Sequence, residues 1–425
     1  MNKGMKQSQL FTKTKKEAPS DEVSRNAELL IRAGFIYKEM SGVYSYMPLG
    51  LRVLKQIEDI IREEMNVVGG QEVLMSSLQE KETWEPTNQW DDKQVDVWFK
   101  TKLKNDTELG LAVTHEAAMT KMLKGFLNSY RDLPLYVYQF QTKFRNEIRA
   151  KSGVMRTREF IMKDLYSFSK DENEHQEFYE KTKKAYETIF KRVGIGHLTY
   201  LTFASGGMFA KFSHEFQTIT SAGEDTIYIN EEKNIAINKE VFTDEVKKDL
   251  GLTGEFKEER AVEVGNIFTL GTRFSDALDL TYQTEAGDKK SVFMGSYGIG
   301  PARLMGTVVE VLADDKGIIW PEAIAPFQVH LLLLGEDENV KNEASKIYES
   351  LLSAQVEVLF DDRIDVSAGE KFSDSDLLGI PFRAVVSVRS LKEGGIEVKK
   401  RIEEKGEILS LDGLLKVLKA NTKLE

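Results

Sequence analysis

Between residues 53 and 65 the apolar positions Val53, Leu54, Ile57, Ile60, Ile61 and Met65 recur at three- and four-residue spacing, and Gly69-Gly70 closes the run. The spacing predicts a long amphipathic helix whose stripe needs a partner surface. A shorter amphipathic helix begins at "AELLIRAGF", with a Gly/Pro-punctuated turn between the two. "DVWFKT" and "LGLAVT" read as short strands, Glu116 to about Leu127 as a helix, and "LPLYVYQFQTKFRNE" as a strand rich in aromatic and β-branched residues. After a polar loop, Phe160, Met162, Asp164 and Tyr166 alternate with Ile161, Lys163 and Leu165, so these segments are expected to pair as antiparallel strands. A helix over about 172–193, strands near 198–203 and 212–229, strands in "EVGNIFTL" and "KKSVFMGSYGIG", and a helix in "ARLMGTVVEVLADD" follow.

The prolines of "GIIWPEAIAPFQ" mark a domain junction. Beyond it "VHLLLLG", "VEVLFDD" and "FRAVVSV" alternate with helical segments, the order of a compact α/β domain with a mixed sheet. A chain of 425 residues has room for two or three domains, and 41% hydrophobic content places it among globular rather than disordered proteins. No run of about 18 apolar residues occurs. The basic, polar start lacks the apolar stretch of a secretory signal, so a cytoplasmic protein without membrane contact is expected. With no cysteine, disulfides, thiolate nucleophiles and cysteine-ligated zinc are excluded; five scattered histidines make another transition-metal site unexpected.

A net charge of −11 argues against indiscriminate nucleic-acid binding, so any such contact must be local and basic. Residues 139–170 fit that description, with eight Lys or Arg against three Asp or Glu. Charge runs are usually solvated loops. Here Arg145 ends one strand while Arg156, Arg158 and Lys163 lie on the return, so cations converge on one hairpin, where guanidinium forks suit phosphate or carboxylate. An ATP-sized polyanion is the natural occupant.

"FRNE" at 144–147, followed by "SGVMRTREFIMKDLYSF", resembles motif 2 of class II aminoacyl-tRNA synthetases, in wording similar to the bacterial-type prolyl-tRNA synthetase family. "GSYGIGPARLMG" resembles motif 3, and "GLRVLKQIEDIIREEMNVVGGQEVLMSSL" resembles motif 1, the dimer-forming helix and strand. The likeness continues through "SHEF", "GED", "LGTRFSDA" and "FDDR…GEKFSDSDLLGIP…EVKKR", nearly the whole chain. It implies an α+β architecture: a class II catalytic domain, 1–322, with an antiparallel sheet flanked by helices, then a smaller α/β anticodon-binding domain, 323–425, with a mixed sheet. Motif 1 would cover about 49–78, motif 2 about 136–168 and motif 3 about 292–313. The implied activity is proline–tRNA ligation: proline and ATP form prolyl-adenylate, and proline then passes to the 3′ end of tRNA(Pro).

By this resemblance Arg145 would bridge carboxylate and α-phosphate and Arg303 would hold the γ-phosphate, the two carrying catalysis by charge stabilisation. Gly298 and Gly300 would let backbone approach adenosine, and Glu147 would lie near adenine and the tRNA end. Arg156 and Arg158 have two available partners, phosphate or the carboxylates of Glu159 and Asp164, and both stay open. Mg²⁺ would come with ATP, with Glu263 either its ligand or an exposed strand-end carboxylate. Thr114 and Glu116 of "VTHEAAMT" resemble the loop that receives the proline amine, though Thr114 also suits a helix N-cap. Ser205, Gly206, Gly207 and His214 would lie near the ring, a backbone-bonded buried imidazole being the plainer reading of His214. Phe160 and Met162 would wall the ring's apolar side, and Glu224 would belong to the supporting shell. Arg149 would touch the acceptor stem. Arg363, Glu397, Lys399 and Arg401 would read the anticodon, an ordinary charged strand end being the alternative for 399–401.

Departures from the family pattern are Ser76 for a proline, Val113 and Ala117 in the "PTxEE" segment, Asn266 for a histidine and Ser387 for a glycine. About 126 residues separate Phe168 from Gly295, too few for an inserted editing domain, so the chain resembles the short subtype and a separate trans-editing hydrolase is an expected partner. Threonyl specificity would need zinc with cysteine and histidine ligands. A noncatalytic paralogue serving as a tRNA-binding subunit would typically lose the arginine of motif 2 or motif 3; both remain.

Overall fold

Strands Leu135–Phe144 and Glu159–Ser169 pair antiparallel from Leu135 opposite Phe168 to Phe144 opposite Glu159, as their alternation predicts. The two-residue period places Gln139, Gln141 and Lys143 on the same face as Phe160, Met162, Asp164 and Tyr166. A computed structural model of the chain describes residues 3–20, 22–148, 150, 152–206 and 212–421. In it these strands belong to a nine-stranded sheet, ordered Phe212–Ile219, Thr199–Ser205, Ile235–Asn238, Asp225–Asn230, Lys257–Gly271, Phe293–Ile299, Glu159–Ser169, Leu135–Phe144 and Gln71–Glu72.

Helix Glu172–Arg192 covers one face. Asp171 caps it by accepting from the Glu174 amide at 3.0 Å, and the helix buries Phe178, Tyr179, Thr182, Ala185, Tyr186, Ile189 and Phe190 at helical spacing. Lys163 points to this side: its ammonium donates to Tyr186 Oη at 2.6 Å and to the Tyr297 carbonyl at 3.0 Å. Burial pulls its pKa well below the ordinary lysine value. The other face carries an apolar cluster containing Trp84, Trp90, Trp98, Val113, Ala117, Tyr166 and Phe168. Val113 and Ala117, two of the departures, are therefore core residues here.

These elements lie in a compact unit of Met40–Val43 and Glu58–Thr307; the second unit draws on Met1–Glu39, Tyr44–Ile57 and Val308–Glu425. The second holds a six-stranded sheet ordered Gly4–Lys6, Val358–Asp361, Val329–Leu333, Phe382–Val386, Ile396–Lys400 and Glu407–Leu409. Its first four strands are parallel, Ile396–Lys400 runs against them and Glu407–Leu409 runs against Ile396–Lys400, the mixed sheet expected for the C-terminal part. Ser387 caps helix Val388–Lys392 in a reciprocal box with Ser390.

Three local expectations change. The turn between the first helices is a β-hairpin, Ile36–Met40 with Val43–Tyr46, tightened by Gly42 at φ +73°. The helix expected over 116–127 is Glu116–Leu123, and Phe126 beyond it is exposed. Strand Gly4–Lys6, in a stretch that looks merely polar, adds to the sheet edge beside Val358–Phe360.

Candidate active site

Arg145 leaves the end of strand Leu135–Phe144, its amide donating to the Arg158 carbonyl at 2.8 Å. Its guanidinium carbon sits 5.3 Å from the centre of the Phe160 ring, and its buried Nε has no hydrogen-bond partner among the described residues. Burial first, then the nearby Arg303 charge, lowers its pKa. Leaving a buried donor unpaired costs about 1–3 kcal/mol, a cost an anionic ligand would remove. Arg303, near the start of helix Pro301–Leu312, is tethered to the Met155 carbonyl at 2.8 Å and the Glu263 carboxylate at 3.2 Å. The other Glu263 oxygen accepts from Asn266 Nδ2 at 2.8 Å. Glu147, Phe160, Met162, Gly298 and Gly300 complete this cleft. A Cβ on Gly298 would stand 2.9 Å from Asn266 Oδ1, so a side chain there would press on the wall.

Beside the cleft lies a cavity of about 430 Å³ lined by Thr114, Glu116, Met162, Asp164, Tyr166, Ser205, Gly206, Phe268 and Ser296. Arg145, Glu147, Met162, Asn266 and Gly298 line both spaces. Glu116 opens helix Glu116–Leu123 and is 4% exposed, accepting from the Thr114 hydroxyl at 2.5 Å. Burial raises its pKa and the Thr114 hydrogen bond opposes the rise. The helix N-cap is His115 and makes no side-chain cap bond, so Thr114 serves Glu116 and not the helix end.

The remaining expected residues are distributed unevenly. Arg156 pairs with Glu147 at 2.7 Å and with Glu224, while Arg158 donates to the backbone carbonyls of Glu147 at 3.0 Å and Ser41. Neither pairs with Glu159 or Asp164, whose carboxylate is held by Lys143 at 2.9 Å. Phe160 lies in the Arg303 cleft, away from the Thr114 and Glu116 side, because it is two strand positions nearer the hairpin than Met162. His214 turns to Tyr179 Oη, 2.7 Å from Nδ1, and its ring edges onto Phe203; it lines neither space. Lys163, expected among the converging cations, is on the opposite face. Arg149 and Gly207 fall outside the described residues.

In the second unit Arg363 is bound by Asp361 at 2.6 Å and Asp374 at 2.9 Å. Arg401 is bidentate with Asp314 at 2.6 and 2.9 Å, which holds that carboxyl down to about 2. Both were expected to read the anticodon; both are held in intramolecular ion pairs. Glu397 and Lys399 lie half-buried on strand Ile396–Lys400. Asp164, Tyr166, Ser296 and Asn266 are site residues that sequence reasoning does not assign. Continuing the alternation Phe160, Met162 by two more steps would have indicated the first two.

A metal would find few protein ligands here. Among the described residues no group of three or more His, Asp or Glu is placed to hold one. The donors present in the cleft, the Glu263 carboxylate and the Asn266 amide oxygen, fit a hard cation that takes most of its ligands from phosphate and water.

Residues 99–312 match the family "tRNA synthetase class II core domain (G, H, P, S and T)", and residues 328–421 match "Anticodon binding domain". A proline–tRNA ligase of Ehrlichia ruminantium (strain Gardel) is 36% identical over 426 residues, covering 97% of this chain and 99% of the relative. Another, from Rhizorhabdus wittichii, is 35% identical over 438 residues, covering 97% and 100%. Among solved structures, prolyl-tRNA synthetase from Cryptosporidium parvum complexed with L-proline and AMP superposes with a TM-score of 0.75 at 18% identity, over 94% of this chain and 76% of that one. A two-space site that shares one arginine, on a sheet whose site-bearing strands are antiparallel, and relatives aligned from end to end lead to one assignment: the chain belongs to the proline–tRNA ligases, class II aminoacyl-tRNA synthetases.

Proposed function

We propose a division of labour for the family's reaction in which the cavity holds L-proline, the cleft holds ATP, and Arg145 joins them. The observation that carries this is the buried, unpartnered Nε of Arg145 on the wall common to both spaces. The proline amine meets Glu116 and Thr114, Met162 and Phe268 pack against the ring, and Ser205 and Gly206 close the far side. A proline carboxylate oxygen attacks the α-phosphorus, the bond to the β-phosphate oxygen breaks, and pyrophosphate leaves with the electron pair. Arg145 and Arg303 stabilise the charge gathering on the phosphoryl oxygens, to which two preplaced cations contribute without reorganising. Phe160, beneath Arg145, is a wall for the nucleotide. Mg²⁺ bound to ATP would screen the β- and γ-oxygens, with Glu263 and Asn266 as its protein-side donors.

The tRNA 3′-hydroxyl then attacks the prolyl carbonyl, AMP leaves, and the adenylate phosphate takes the proton. Arg149 is assigned to the acceptor stem. For the anticodon, Lys399 and Glu397 are the available readers; Arg363 and Arg401 shape their surroundings. The functional boundary is placed at 322/323, supported by the gap between the two family matches. Relatives matched over 99% of their own length leave no room for an editing insertion, which supports misacylation with alanine and its correction by a separate hydrolase. Exposed Val67, Leu74 and Leu78 on the motif 1 helix and strand support a homodimer. No described helix is long and apolar enough to cross a membrane.

ATP–pyrophosphate exchange tests the site. Dependence on proline, with threonine, alanine and histidine as controls, is expected; no exchange with any of them would favour a noncatalytic tRNA-binding paralogue.

A further inference from the structure

Under the Thr114–Glu116 pair lies a buried polar chain that the reaction scheme does not use. Lys143 is fully buried, and its ammonium reaches three acceptors: Asp164 Oδ1 and Oδ2, both at 2.9 Å, and His115 Nδ1 at 2.6 Å. An ammonium has three protons and no lone pair, so all its donors are spent and His115 Nδ1 must be the acceptor. The proton of His115 is then on Nε2, which donates to the Ser76 carbonyl at 3.1 Å. Tyr166 Oη accepts from the His115 amide at 3.1 Å and donates to Asp164 Oδ2 at 2.8 Å. Gln139 donates to Asp164 at 3.0 Å and accepts from the Met75 amide at 3.0 Å.

We propose that Lys143, Asp164 and His115 form a positioning relay that fixes Thr114 and Glu116 for the substrate amine and references them to the main chain at 75–76. This rests on the assignment of the amine to that pair. His115 stands between the two amine acceptors in sequence, so anchoring its ring on one side and its amide on the other immobilises both neighbours. Gln79 adds a third restraint, donating to the Thr114 carbonyl at 2.9 Å. The pair also sets the charge. Lys143 lies in the field of Glu116 and favours its carboxylate form, while Asp164, which accepts two hydrogen bonds from the ammonium, opposes that, so the pair leaves Glu116 its charge for an incoming cation. Stability alone is a poor reason for this arrangement, because a buried lysine–aspartate pair is often no more stabilising than apolar residues of similar volume. Its place beside the amine acceptors supplies another reason.

The test uses Lys143→Met/Asp164→Asn, which leaves no orphan charge, with Glu116→Gln as reference. Exchange kinetics give KM for proline and for ATP, and inhibition by tetrahydrofuran-2-carboxylate reports binding of a ring without the amine. The double variant is expected to raise the proline KM at least tenfold, leave the ATP KM within twofold, and leave the inhibitor's Ki within twofold. Equal loss of proline and inhibitor binding, or an unchanged proline KM, overturns the relay. If Glu116→Gln leaves the proline KM unchanged, the amine assignment itself fails, a result distinct from failure of the relay alone. Should the double variant not fold, Tyr166→Phe removes the hydrogen bonds from the His115 amide and to Asp164 while leaving the Lys143 contacts in place, and is read by the same criteria.

Discussion

Arg145 shows how one buried guanidinium nitrogen without a hydrogen-bond partner points to a role. A guanidinium cannot discharge itself in this environment, so the site is organised around a cation awaiting its counter-charge. Arg145→Gln should therefore reduce proline-dependent exchange at least ~10²–10³-fold, the scale of losing a preplaced stabiliser of transition-state charge. Arg149→Gln should leave exchange intact and slow only transfer to tRNA; equal loss in both variants would refute the division between them. At this scale the sequence was partly readable. Motif wording located Arg145, Arg303, Thr114 and Glu116, and strand alternation put Phe160 and Met162 on one face. What local pattern does not encode is which cation a distant carboxylate will claim. Lys143 is taken by Asp164 and Arg156 by Glu147 and Glu224, from 21, 9 and 68 residues away.

Among elements, the turn between strands Phe212–Ile219 and Asp225–Asn230 controls the Arg156 edge of the cleft. It carries Glu224, and the preceding Gly223 lies so close to the Ala261 carbonyl that a Cβ would overlap it. Gly223→Ala should cost about 1–3 kcal/mol in urea unfolding, as overpacking does, and raise the ATP KM by displacing Glu224 from Arg156. Glu224→Gln should raise the ATP KM with little change in stability; a stability loss equal to that of Gly223→Ala would show that the turn's geometry is not at issue. The element pattern itself was legible wherever the period was sustained, as in helix Glu172–Arg192. It failed over 36–46, expected as a Gly/Pro-punctuated turn, where a hairpin of two short strands offers too few alternations to show a strand period.

Across the whole molecule, four of the five imidazoles, three buried and His214 half-buried, have lowered pKa: His115, His175 and His214 to about 4 and His330 to about 3. Burial is the leading cause in each. Because the folded values lie below the unfolded value of about 6.5, the unfolded chain binds more protons between those limits, and stability falls as pH drops through 6.5. Each such group contributes about 2 kcal/mol of destabilisation between pH 7 and pH 5. Urea titrations at pH 7, 6 and 5 should show this decline, and His330→Gln should make it shallower; an unchanged slope would assign the effect elsewhere. Association belongs to this scale as well. Leu74→Asp, at an exposed motif 1 position, should convert a dimer into monomers in sedimentation velocity. A wild-type chain that already sediments as a monomer would remove that proposal.

The sheet of the second unit also sets a schedule. Its edge strand, Gly4–Lys6, pairs with Val358–Phe360, so one partner leaves the ribosome more than 350 residues before the other. At about 5–20 residues per second, synthesis keeps the early strand waiting for roughly 20–70 s. Through that interval its amides have water or a chaperone for company, and the sheet that ends with the last strands of the chain can close only by reaching back for the first.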